Sequence, residues 1–267
     1  MNPLFAAILG VIEGLTEYLP VSSTGHLILA GHFLGAAGDA EKSFEIVIQL
    51  GAILAVVVHY RKLLVERVAG LFARDDRSVA LGLALAFGFV PTAVVGLLLR
   101  KIIKRVLFGP LPVVAALVVG GVVMIVLERK LAKRKDTELD GLEHVTPRRG
   151  FLIGLGQCIS LWPGSSRSMC TILAGRLTGL STGTAAEFSF LLALPTLGAA
   201  TLYELLKAKD ELLAPGHGTE LAVGMIVSFL VAWGVIAVFL RYLRTRGLEP
   251  FGWYRIALGV FVLMMLR

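Results

Sequence analysis

Apolar and polar positions come in long blocks along this chain. Apolar runs stand at Phe44–Tyr60, Val79–Leu99, Leu111–Leu127, Ala185–Leu206, Leu221–Leu240 and Trp253–Leu266. Each is at or near the length of about 20 helical residues that crosses a bilayer core. Six transmembrane helices are therefore predicted, with a kink at Pro91 in the second. Two further apolar stretches are shorter and interrupted. In the first, Asn2-Pro3 can start a helix that runs to about Leu19, Pro20 stops it, and Ser22 or Ser23 can cap another reaching about Leu34. In the second, Phe151–Trp162 is broken at Pro163-Gly164, and Ser165 or Ser166 can cap a helix to about Leu177. Both read as re-entrant broken hairpins, a form that backbone takes at membrane depth only where it lines a site.

The two interruptions also read as a repeat. Gly10-Val-Ile-Glu13 answers Gly154-Leu-Gly-Gln157 and, after a one-residue gap, Pro20-Val-Ser-Ser23 answers Pro163-Gly-Ser-Ser166. Each half is a hairpin plus three crossings, so the second half enters the membrane upside down relative to the first. The expected fold is all-α, a polytopic membrane protein with six transmembrane helices and two re-entrant hairpins in an inverted-topology repeat. It forms one integral membrane domain over 1–267, with halves at about 1–130 and 150–267 and a linker at about 129–149.

Composition agrees with this reading. The chain is 56% hydrophobic and only 17% charged, against about 25% charged in ordinary soluble domains. Its net charge of +7 sits mostly between apolar runs, which argues for headgroups and against nucleic acid. The segment after Tyr60, with Arg61, Lys62, Arg67, Arg74 and Arg77, reads as a basic loop, and Gly35–Lys42 as a small polar one. The loops after crossings one, three and five hold fifteen Lys and Arg against eight on the opposite side. The positive-inside rule then makes the linker cytoplasmic and puts both termini outside. Cys158 and Cys170 have neither a zinc spacing nor a disulfide framework.

The chemistry gathers at the breaks. Glu13 and Glu17 are four apart and would share one helix face. Beyond Pro20 come Ser22, Ser23, Thr24 and His26; beyond Pro163 come Ser165, Ser166, Arg167, Ser168 and Thr171. Helix N-termini, hydroxyls and an arginine fork are all donors to phosphate. Two carboxylates would repel such an anion unless one is protonated or a hard divalent cation, Mg²⁺ or Ca²⁺, lies between them. Ser23 or Ser22 could attack phosphorus, with His26 or a glutamate moving protons. The rival expectation is a transporter or lipid flippase, since inverted repeats with broken helices serve transport too.

At these residues the chain resembles the undecaprenyl-diphosphatase family, the bacitracin-resistance type of bacterial inner-membrane phosphatase. The resemblance spans essentially the whole chain. It rests on Glu13-Gly-Leu-Thr-Glu17-Tyr-Leu-Pro-Val-Ser-Ser-Thr-Gly-His26 and Pro163-Gly-Ser-Ser-Arg-Ser-Met-Cys-Thr171, with support from Gln49-Leu-Gly-Ala-Ile53 and Glu187–Pro195. It implies hydrolysis of undecaprenyl diphosphate to undecaprenyl phosphate and inorganic phosphate, which recycles the carrier for wall polymers and confers bacitracin resistance. The family's acidic motif falls on Glu13 and Glu17, its histidine on His26 and its proposed nucleophile on Ser23. Its phosphate-binding Ser-Arg and Thr fall on Ser166, Arg167 and Thr171. The expected enzyme therefore takes a polyprenyl diphosphate from the outer leaflet, holds its metal on Glu13 and Glu17, attacks with Ser23, and uses His26 for proton transfer. A homodimer is among the assemblies this expectation allows.

Overall fold

The computed structural model describes residues 2–33, 39–107, 109–132, 138–212, 218–243 and 245–265. Among them the chain is helical, the single β-type pairing being an isolated bridge between Leu139 and Leu180. The helices are α1 (Pro3–Thr16), α2 (Ser23–Phe33), α3 (Asp39–His59), α4 (Arg61–Phe72), α5 (Asp76–Val106), α6 (Pro110–Leu131), α7 (Pro147–Gln157), α8 (Arg167–Leu177), α9 (Thr182–Leu212), α10 (Gly218–Leu243) and α11 (Glu249–Met265). Two 3₁₀ turns, Leu142–His144 and Cys158–Leu161, complete them.

The protein is a multi-pass membrane protein. Among the described residues, four stretches are long and apolar enough to cross a bilayer: Asp76–Ile103, Pro110–Leu131, Thr182–Lys207 and Gly218–Leu243. A fifth would be the pair Phe44–His59 and Arg61–Phe72, bent by 73°. The run expected at Trp253–Leu266 falls on α11, of 17 residues, so the count of six is not reached on length and composition. α5 and α9 run unbroken through Pro91 and Pro195.

Three expectations change. The basic loop after Tyr60 is the helix α4, made of good helix formers and lined on the outside by Val65, Val68, Leu71 and Phe72. It stops at Arg74, whose φ is 58°, and Asp75 caps α5 at once. Of the polar loop Gly35–Lys42, residues 35–38 lie outside the described residues, and Asp39 already begins α3. In the linker, residues 133–137, with Lys133, Arg134 and Lys135 among them, lie outside the described residues, but the described part is folded onto the body. Leu139 pairs with Leu180, and Arg176 binds both Glu128 and Glu138.

The two halves pack reciprocally. α1 lies against α10 and α7 against α5, while α6 pairs with α11 and α3 with α9. At α1 the approach is close enough that a Cβ on Gly14 would come within 2.7 Å of the Ser228 carbonyl oxygen. The core between the halves holds Tyr18, Phe188 and Phe190; Tyr18 stands edge-on to Phe190 at 5.1 Å and donates to the Ala52 carbonyl at 2.8 Å. Leu97, Leu98, Leu206 and Val238 point outward, as apolar side chains in lipid do.

Candidate active site

Both hairpins are built from local signals. Asn2 caps α1 with Pro3 at its first position, and Thr146 caps α7 with Pro147 in the same place. After the breaks, Ser22 and Ser166 both take left-handed conformations, with φ of 74° and 69°. Ser22 Oγ accepts from the Gly25 amide and Ser166 Oγ from the Met169 amide, each at 3.3 Å. α2 and α8 then run for 11 residues each. These matches place Asn2 with Thr146, Glu13 with Gln157, Pro20 with Gly164 and Ser22 with Ser166, a constant offset of 144 positions. The one-residue gap expected from the two prolines is absent. Ser23 and Arg167, the first residues of the two half-helices, are therefore equivalent.

The breaks face one cleft of about 230 Å³. Of the residues singled out in the sequence, Glu17, Ser22, Ser23, Thr24, Ser166 and Arg167 line it. Ser23 Oγ donates to Glu17 Oε2 at 2.7 Å, and Arg167 Nη2 lies 3.5 Å from Glu17 Oε1. A hydroxyl, a carboxylate and a guanidinium thus stand in a row. Arg167 is aimed from behind: Nη1 donates to the Ser189 carbonyl at 2.9 Å, and its guanidinium carbon lies 5.7 Å from the Tyr18 ring centre. Ser189 is fixed in turn by Thr171, whose hydroxyl pairs with it at 2.6 Å.

The remaining expected residues stand behind the cleft. Thr171 and Ser168 are fully buried, Ser168 donating to the Leu19 carbonyl at 2.8 Å. Ser165 is buried in the second break. The ring nitrogens of His26 take other partners than Ser23. Its Nδ1 lies 2.8 Å from the Ser22 carbonyl and its Nε2 lies 2.6 Å from the Tyr254 hydroxyl. A carbonyl only accepts, so Nδ1 carries the proton and Nε2 accepts from the phenol. Glu13 lies beneath the cleft, 1% exposed, with Oε2 lacking a hydrogen-bond partner.

That orphaned oxygen bears on a metal. Glu13 and Glu17 are oxygen donors of the kind hard cations take, and no group of three His, Cys, Asp or Glu suited to a metal occurs among the described residues. Glu13 and Glu17 could supply two carboxylate oxygens to Mg²⁺ or Ca²⁺, with phosphate and water oxygens making up the rest.

Several partners of the site are not marked by any motif in the sequence. Gln157 donates to the Thr92 and Thr196 hydroxyls at 3.0 and 3.3 Å, and both threonines line the cleft. Arg255, fully buried on α11, donates to the carbonyls of Pro20 (3.3 Å), Ala116 (3.0 Å) and Gly164 (2.8 Å). It ties equivalent carbonyls of the two breaks together. The available signal was a charged residue inside an apolar run, which in a membrane defaults to function.

Comparison with known proteins gives a consistent result. A family model described as bacitracin resistance protein BacA matches residues 6–261. An undecaprenyl-diphosphatase of Sorangium cellulosum is 60% identical, over 97% of this chain and 85% of its own length. One from Thermoanaerobacter pseudethanolicus is 46% identical over 97% of this chain and 95% of its own. Undecaprenyl-diphosphatase 1 of Burkholderia ambifaria is 44% identical over 97% and 94%.

Proposed function

We infer the reaction of this cleft from its family: the chain belongs to the family of bacitracin resistance protein BacA. It hydrolyses undecaprenyl diphosphate to undecaprenyl phosphate and inorganic phosphate. The product is the lipid carrier for cell-wall synthesis, and removal of the diphosphate confers resistance to bacitracin, which sequesters it. The reading is carried by the row of Ser23, Glu17 and Arg167 at one cleft.

In this reading Ser23 Oγ attacks the terminal phosphorus while its proton passes to Glu17. The bond from that phosphorus to the bridging oxygen breaks, Glu17 passes the proton on to that oxygen, and undecaprenyl phosphate leaves. Water then attacks the phosphoserine, gives its proton to restore the serine hydroxyl, and releases inorganic phosphate. Arg167 and the amides at the two half-helix starts bind the phosphoryl oxygens. Ser22, Thr24 and Ser166 add hydroxyls at the wall. Ser165, Ser168 and Thr171 support that wall from behind, and His26 acts by holding the Ser22 carbonyl beside the nucleophile. Glu13 and Glu17 would hold Mg²⁺ or Ca²⁺, which when bound neutralises phosphate charge.

We place the enzyme in the bacterial inner membrane, with the cleft reached from the outer face and both termini outside. Arg100 on α5 is bonded to Glu204 on α9, which sets the ends of these helices on one side, as the loop-charge arrangement requires. The cleft residues Thr196 and Ala200 lead along α9 toward that end.

The test is phosphate release from a long-chain polyprenyl diphosphate by purified protein, with Mg²⁺, with Ca²⁺ and with a chelator. Release should require the metal and should fall by about 10²-fold or more in Glu17→Ala, Arg167→Ala and Ser23→Ala. Folded Glu17→Ala or Arg167→Ala protein that keeps most activity overturns the site, and a trapped phosphoryl group away from Ser23 overturns the nucleophile.

A further inference from the structure

Beyond the cleft, α5 and α9 continue side by side. On α9 the cleft residue Ala200 is followed by Tyr203, Glu204 and Lys207, the spacing of one helix face. On α5 the cleft residue Thr92 is followed, one and two turns on, by Gly96, which packs on the cleft residue Leu161, and by Arg100. At 1.5 Å per residue, Arg100 and Tyr203 stand roughly 10–12 Å past Thr92 and Thr196.

There the two helices meet through charge. Arg100 Nη1 donates to the Tyr203 hydroxyl at 2.6 Å and Nη2 to Glu204 Oε1 at 2.6 Å. The Arg100 guanidinium carbon is 4.8 Å from the centre of the Tyr203 ring, and Lys207 Nζ is 4.5 Å from the same centre. Two cations therefore flank one ring, only Arg100 being paired with a carboxylate, and the group keeps net positive charge. Since the phenol oxygen accepts from Arg100, its own proton is left to donate outward. A planar fork, an ammonium and a hydroxyl are the donors that phosphate oxygens take. The group is accessible, Tyr203 being 44% exposed.

We propose that Arg100, Tyr203 and Lys207 form an outer binding site for a phosphate or diphosphate group at the mouth of the cleft, which Glu204 occupies until the anion replaces it. The anion is either the lipid headgroup arriving or inorganic phosphate leaving. Only that choice rests on the phosphatase reading; anion binding itself does not.

The experiment is calorimetric titration of inorganic diphosphate into purified full-length protein carrying Arg167→Ala, which removes the cation of the cleft. Salt-sensitive binding should persist, weaken about tenfold with added Arg100→Gln or Lys207→Gln, and tighten severalfold with added Glu204→Gln. A simple tie between helices would be loosened by Arg100→Gln and Glu204→Gln alike. Equal effects of those two variants, or none, overturn the proposal. The source is read in lipid nanodiscs, without Arg167→Ala. A raised KM for polyprenyl diphosphate in Arg100→Gln with kcat retained assigns the site to the headgroup. Weakened product inhibition by phosphate with KM retained assigns it to the leaving anion. Movement of neither overturns a role in turnover. Wild-type protein that binds diphosphate here yet releases no phosphate would instead sink the phosphatase reading alone.

Discussion

Arg255 supplies three donors to three carbonyls on different segments, which a lysine could do only with looser geometry. Arg255→Lys is expected to lower kcat about tenfold or more, because the relative placement of the two breaks loosens; phosphate release at unchanged helix content measures this. Gly164 is needed at its site for two reasons. Its φ is 95°, and a Cβ there would come within 2.7 Å of the Val113 carbonyl oxygen. Gly164→Ala should cost about 1–3 kcal/mol and show as a lower Tm in detergent. At this scale the sequence was legible where chemistry is local. Glu17, Ser23 and Arg167 could be picked out because charge and hydroxyls in an apolar setting need a reason. Arg255 and Tyr254 could not be attached to the breaks, since their partners in the first break lie more than two hundred positions away in the chain and Gly164 in the second lies 91 away from Arg255. His26 shows the limit from the other side: its type suggested a base for Ser23, while its direction is set by Tyr254.

Among the elements, the half-helices were readable because their starts are written in adjacent residues, as with Asn2-Pro3 and Thr146-Pro147. α4 was not, since alternating basic and apolar residues suit a loop or an interfacial helix equally until Tyr60 fixes the bend. The turn from α4 into α5 carries a pH dependence. The Ser78 hydroxyl and then its amide donate to Asp75 Oδ2 at 2.7 and 2.9 Å, and they hold that carboxyl below the ordinary carboxylate range, with Arg67 and Arg77 adding to the effect. Folding therefore favours the ionised form. Its contribution is complete above the ordinary value of about 4 and is lost as pH falls through the lower value of the folded state. Asp75→Asn should flatten the acid limb of a plot of Tm against pH; an unchanged limb would show that the cap does not titrate with folding.

For the molecule as a whole, the joint between halves is both polar and buried. Arg176 at the end of α8 binds Glu128 at the end of α6 and Glu138 in the linker, the latter at 3.1 Å, with its own side chain only 1% exposed. Removing one member of such a group leaves charge without compensation. Glu128→Ala is expected to destabilise by about 3–5 kcal/mol, read as a fall in Tm or a loss of folded protein after extraction. The repeat was legible in the sequence; its register was not, because the match is carried by the serine caps Ser22 and Ser166 and not by the two prolines, which sit one position out of register.

That register has a consequence for how such a protein could arise. Ser23 and Arg167 occupy one and the same slot in two copies of a single motif, opposite each other across a shared cleft. Duplication alone would have furnished two alike occupants: a pair of hydroxyls with nothing to draw in an anion, or a pair of guanidiniums with nothing to attack it. The ancestor of either half, joined to its own twin, would have had the scaffold without the trade. On the proposed mechanism, division of labour between the twins, one keeping the hydroxyl and the other the charge, turns a symmetric vessel into a tool with a direction.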